Sequence, residues 1–200
     1  MIHRIIIIII LISYLHQSNA QENSSPSKMI NVHASAELIM KGKTNINTFE
    51  CDFHSATSRD FHFQEKDIKD NRIVLEEAEL YFDIDSCECS IELISKDLAS
   101  ALNARQFPHI VIDLQEIQLN QSNKLKSMTV SVEMSGESLE YQIIPKKIIR
   151  NNEGMLLVKG LLEIDMRDYK IKPPNKMLGL IKVEPLVVVE YVINFNKSNS

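Results

Sequence analysis

Along most of the chain, apolar and polar side chains alternate with a period of two. Met128, Val130, Val132 and Met134 alternate with Thr129, Ser131 and Glu133, and Leu80, Phe82 and Ile84 alternate with Tyr81, Asp83 and Asp85. Ile112 and Leu114 keep the same phase within 110–119. Val187, Val189, Tyr191, Ile193 and Phe195 share one face, with Glu190 and Asn194 on the other. Leu156, Val158, Leu162, Ile164 and Met166 repeat the pattern around Gly160, where a missing side chain permits a bend or a close approach. Successive strand residues point to opposite faces, so each run predicts a half-buried strand. Shorter strands are expected over 36–41, 49–54, 73–75, 110–119 and 139–144. Asn120-Gln121-Ser122-Asn123 and Asn151-Asn152-Glu153-Gly154 break the pattern, the second as a hairpin loop between apolar strands. Roughly eight strands with turn signals between them predict a mainly β fold, a sandwich or an antiparallel eight-stranded barrel.

One segment departs from the rule. Ile94, Leu98 and Leu102 recur every four residues, Ser95 suits an N-cap, Asp97 suits a first turn and Pro108 bars continuation. A single short amphipathic helix over 95–105 is expected, lying across an end or edge of the sheet.

The front of the chain follows a different logic. Met1-Ile2-His3-Arg4, an unbroken apolar run from Ile5 to Ile12, and Ser18-Asn19-Ala20 predict a secretory signal peptide over residues 1–20, cleaved after Ala20. The apolar stretch is shorter than the roughly twenty residues of a spanning helix, although an uncleaved anchor is the alternative. Residues 21–35 are read as a flexible tether and 36–196 as the domain, large enough to bury a substantial core. The expected location is periplasmic or secreted.

Charge narrows the partners. The chain has 22 Lys and Arg against 27 Asp and Glu; the leader removes only Arg4, leaving 21 against 27, or −6. A mildly acidic chain without a basic cluster is a poor nucleic-acid binder. Catalytic signatures are not found: G-x-S-x-G, the phosphate-cradling Gly-rich loops and zinc spacings are all missing, and Glu76-Glu77 reads as solvated surface. His33, His54, His62 and His109 are scattered, and Cys87-x-Cys89 alone is a weak half-site for a metal. No enzyme activity, cofactor or metal is expected.

The cysteines carry more information. Residues two apart on a strand sit about 7 Å apart on one side, so Cys87 and Cys89 do not readily bridge each other there. Cys51 is left to pair with either one, unless all three stay reduced. A bridge would close a loop of about 35–40 residues and contribute roughly 3–4 kcal/mol in the chain-entropy model.

Three stretches, in this order, resemble the YceI-like family of exported, lipocalin-like antiparallel β-barrels that hold polyisoprenoid or similar amphiphilic chains. Gly42-Lys43-Thr44-Asn45-Ile46-Asn47-Thr48-Phe49-Glu50-Cys51 is similar to the family's early G-x-S/T-N segment, with Phe49 where Trp is common. Leu102-Asn103-Ala104-Arg105-Gln106-Phe107-Pro108-His109-Ile110 resembles its helix exit. Gly160, Met166-Arg167-Asp168-Tyr169-Lys170-Ile171-Lys172-Pro173-Pro174 and Leu178-Gly179 resemble its closing run, with Arg167 where Thr is usual and Tyr169 in place of Phe. The resemblance spans about residues 36–195 and implies a Cys51–Cys89 pair, Cys87 being left over. It also implies a carrier of polyisoprenoid, quinone or fatty-acid-like lipid; a homodimer is a separate expectation about partners, on which the sequence itself is silent.

The lining expected from the inward phase is Leu80, Phe82, Ile112, Leu114, Val130, Val132, Val187, Val189 and Tyr191. A one-residue register slip would turn all of them outward. The alternative is a barrel whose core is filled by these side chains, acting as a structural module for a protein partner.

Overall fold

The computed structural model describes residues 29–53, 56–58, 60–64, 71–151, 155–176 and 180–197. Its longest strand, β1 (Met29–Lys43), is shared by three neighbours. Its second half pairs with β2 (Thr48–Phe53), its first few residues with β4 (Asp60–Gln64), and most of its length with the C-terminal strand β15 (Leu186–Lys197), which itself pairs with β12 (Leu156–Asp165). With β11 (Lys147–Arg150) and β7 (Glu88–Cys89) at the two ends, this makes one antiparallel sheet in the order β11-β12-β15-β1-β2-β7.

The second antiparallel sheet runs β10 (Glu137–Ile143), β9 (Leu125–Met134), β8 (His109–Leu119), β6 (Glu79–Asp83) and β3 (Ala56–Ser58), with β5 (Arg72–Val74) also on β8. A small hairpin of β13 (Asn175–Lys176) and β14 (Ile181–Lys182) stands apart from both. The sheets approach each other where β1 meets β3 and β6 and where β10 meets β12. Their inner faces share one core, with Leu38 and Phe53 from the first sheet and Phe82 and Val130 from the second. The Phe53 and Phe82 rings meet edge to face at 6.5 Å. The fold is mainly antiparallel β, with one α-helix among the described residues, α1 (Glu92–Ala101).

The long predicted strands form where the alternation placed them, except that Ile84 and Asp85, and Met166, leave the expected strands for 3-10 turns; three further differences concern the start of β1 and the two ends of the helix. The domain begins earlier than expected: β1 occupies 29–35, inside the segment read as tether, because Val32 and Ala34 continue the alternation with Asn31, His33 and Ser35. Small apolar residues made that alternation faint in sequence. Residues 1–28, which hold the expected leader and the start of the expected tether, lie outside the described residues. The helix starts three residues before the expected N-cap, after Ile91, without a side-chain cap. Ser95 is inside it, and its hydroxyl instead accepts a hydrogen bond from the Cys89 N–H at 3.0 Å. The helix ends at Leu102, well before Pro108, because Asn103 takes a left-handed backbone at φ 53°.

The Asn120 turn forms as expected, its side-chain oxygen accepting from the Ser122 and Lys124 N–H groups at 2.9 and 3.0 Å. Of the hairpin loop expected at 151–154, residues 152–154 lie outside the described residues, but β11 and β12 on either side pair antiparallel.

Candidate functional site

Between the sheets lies a cavity of about 70 Å³ walled by the inward faces of β1, β6, β8, β9, β12 and β15 and by helix α1. Seven of the expected residues line it: Leu80, Ile112, Val130, Val132, Val187, Val189 and Tyr191. Phe82 and Leu114 do not. Both are buried in the core, at 0% and 1% exposure, on the expected inward face, but are not among the side chains that line the cavity. Alternation reports the face a side chain takes; it carries no information on its depth.

The sequence reading missed the walls supplied by β1, by the helix and by the closing turn. Leu38 and Met40 come from β1, Leu98 and Leu102 from α1 and its end, and Met166 from a short 3-10 turn after β12. The helical spacing of Leu98 and Leu102 was visible, yet nothing in it said which sheet face the helix would cover.

That closing turn explains the most specific part of the family-like run. Asp165 caps it, its carboxylate accepting from the Arg167 N–H at 2.9 Å, and Lys170 leaves it at φ 56°, which buries Met166, Tyr169 and Ile171. The Arg167 guanidinium also grips the Asp165 carboxylate, with Nε 2.9 and 3.1 Å from its two oxygens. These bonds hold the Asp165 pKa down to about 2.

A second, wider cavity of about 260 Å³ lies next to the first and shares Met40, Leu98, Met166 and Val187 with it. Its rim is mixed: Ile46, Ile91 and Leu93 are exposed apolar groups, while Thr44, Asn47, Thr48 and Asp97 are polar. The rim is tied by local bonds. Thr44 and Asn47 bond to each other, and the Asn45 side chain donates to the Leu180 carbonyl at 2.8 Å and accepts from the Lys182 N–H at 2.9 Å. The inner cavity, by contrast, is walled by hydrocarbon and thioether groups, apart from the buried Tyr191 phenol, whose hydroxyl has no hydrogen-bond partner among the described residues. Burial pushes that phenol's pKa up. Apart from that one phenol, the wall offers only apolar contact.

The disulfide joins Cys51 to Cys89, which face each other in the β2–β7 register, with sulfurs 2.00 Å apart. Cys87 is free and buried at the end of a 3-10 turn rather than on a strand. Burial, with the Asp52 and Glu88 charges behind it, raises its thiol pKa to about 11. Among the histidines, His33 pairs with Asp60 at 2.8 Å and His109 meets Tyr81 edge to face. His54 and the side chain of His62 lie outside the described residues.

The described residues define a class of protein with an antiparallel β fold, an apolar interior cavity and one helix against it. Within that class the chain has the YceI-like fold. No family model matches the chain, and no curated protein does. Solved structures do. BcnA of Burkholderia cenocepacia superposes with a TM-score of 0.60 at 13% identity, over 80% of this chain and 95% of that one. A Campylobacter jejuni YceI protein superposes at 0.54 and 11% identity, over 75% and 85%. A polyisoprenoid binding domain from Saccharophagus degradans, implicated in plant cell wall breakdown, superposes at 0.52 and 10% identity, over 86% and 100%.

Proposed function

We propose that the chain is a non-enzymatic binder of an amphiphilic lipid, carrying or sequestering it outside the cytoplasm. The observation that carries this reading is the pairing of a hydrocarbon-walled chamber with a wider, mixed-polarity one across four shared side chains. Apolar burial gains about 0.8 kcal/mol per CH₂. A forty-carbon chain would gain roughly 30 kcal/mol gross, above the practical ceiling of about 18–21 kcal/mol, before the cost of ordering it is taken off. Burial alone is therefore enough for tight retention, and the polar rim needs only to orient a head group. The fold-level likeness to a polyisoprenoid binding domain supports the same class of ligand; quinones and fatty-acid-like chains fit the same chemistry.

Size sets a condition. Ligand pockets usually run roughly 300–1,000 Å³, and neither cavity reaches that alone. A long chain enters only if side chains move aside, and the flexible thioethers of Met40, Met134 and Met166 are the adjustable parts of the wall. The small inner volume also favours a second reading, a filled-core module that binds a protein partner.

Native and denaturing mass spectrometry of residues 21–200, produced through an exporting pathway and purified without detergent, separates the two. A releasable adduct of defined mass, lost when Val132→Trp or Val189→Trp fills the chamber of a still-folded protein, is the expected result. A bare mass that persists after incubation with polyprenyl lipids, quinones and fatty acids would sink the lipid reading.

A further inference from the structure

Three sulfur atoms converge at the β2–β7 edge. The Sγ atoms of Cys51, Cys87 and Cys89 all lie within 4.8 Å of one another, although only Cys51 and Cys89 are bonded. Their surroundings differ. Cys51 is 0% exposed and Cys87 7%, whereas Cys89 is only partly buried. Hydrogen bonds fix the segment that carries Cys87 and Cys89 against β2: the Cys87 N–H donates to the Ile84 carbonyl at 3.2 Å, the Cys89 N–H to Ser95 Oγ at 3.0 Å, and the Ser90 N–H to the Glu50 carbonyl at 2.8 Å.

Thiol–disulfide exchange needs a thiolate that can reach a disulfide sulfur, and holding the two in one site replaces a bimolecular encounter with an internal step. Cys87 has that reach, and because burial raises its thiol pKa to about 11 the exchange is slow near neutral pH and quickens as pH rises. Attack on Cys89 would bridge residues two apart in sequence, which backbone geometry disfavours. Attack on Cys51 forms a Cys51–Cys87 bond, breaks Cys51–Cys89, and leaves the electron pair on Cys89, which takes up a proton as Cys87 gives one up. No outside oxidant or reductant is involved.

We propose that Cys51, Cys87 and Cys89 form an exchange centre in which the bridge interchanges between Cys51–Cys89 and Cys51–Cys87, making Cys89 a modification site for low-molecular-weight disulfides. The exchange moves the free thiol from a buried position to a partly exposed one, at the entry to helix α1. There the Cys89 thiolate attacks a small disulfide, forming a mixed disulfide and releasing one equivalent of small thiol. Cys51 is the pivot, bonded in both forms.

The test uses residues 21–200 with the native bridge, incubated with oxidised glutathione, quenched in acid, alkylated and mapped by fragmentation of the peptide holding positions 87 and 89. The expected product carries glutathione on Cys89 together with a Cys51–Cys87 bridge, and Cys87→Ser abolishes it while keeping Cys51–Cys89. In Cys89→Ser, oxidation should form Cys51–Cys87 and leave no titratable thiol. The proposal is overturned if wild-type chain takes glutathione only on Cys87, or takes none while the unfolded chain reacts. Two persistent free thiols in a folded Cys89→Ser chain would overturn it equally.

Discussion

Gly160 lies directly across from Tyr191 in the β12–β15 register. A Cβ there would sit 2.1 Å from the Tyr191 hydroxyl and 2.4 Å from its Cζ, so the ring occupies the space a side chain would need. Gly160→Ala should therefore cost about 1–3 kcal/mol, as overpacked cores do. The cost should shrink in a Tyr191→Phe background, read as coupling in a denaturation double-mutant cycle. Tyr191→Phe alone should leave stability unchanged or raised, because the hydroxyl it removes is buried without a hydrogen-bond partner among the described residues. A second residue-scale test concerns Asp165. Its folded pKa of about 2 lies below the ordinary carboxylate value of about 3.9. The stability it contributes is thus present above about pH 4 and is lost as pH falls toward 2, and it is modest because the partner guanidinium of Arg167 is exposed. Arg167→Thr should return the Asp165 midpoint toward about 3.9, measured by NMR titration of its carboxyl carbon.

Two elements are held by contacts that neither could make alone. Strand β7 is two residues long and depends on β2, the disulfide and Ser95 for its place. Ser95→Ala should leave the helical circular dichroism of α1 intact, since Ser95 is not its cap, while hydrogen exchange at the Cys89 amide quickens. An N-cap role would give the opposite pattern. Removing the bridge as Cys51→Ala/Cys89→Ala opens a link across 38 residues of sequence. It should lower unfolding stability by roughly 3–4 kcal/mol, checked by denaturant titration.

The two sheets meet over one core, and the cavities are where that core is not filled. Leu98 of α1 stands in the wall of both chambers, so Leu98→Ala should join them more widely. Its expected cost is about 2–5 kcal/mol in thermal or chemical unfolding, and on the lipid-binding reading a fluorescent fatty acid should leave the variant faster than the parent chain. Of this site, the faces were legible in sequence: Val130 and Val132 or Val187 and Val189 point inward because a pleated strand alternates and one side must leave water. Its extent was not. Phe82 and Leu114 share the phase of Leu80 and Ile112 yet do not line the chamber, and Met166 reaches it from a capped 3-10 turn.

Local pattern by itself determined the strand class of the chain, the existence of one helix near 95–105 and the inward faces of the long strands, because each depends on residues within a few positions. The cysteine count and spacing left Cys51 two partners. Tertiary structure decided the rest: that β1 begins at Met29 against β4 and β15, that the helix closes one side of a chamber, where that chamber ends, and that β2–β7 register sets Cys51 opposite Cys89 with Cys87 alongside. Those choices rest on pairings between segments far apart in sequence, whose partners no single segment encodes.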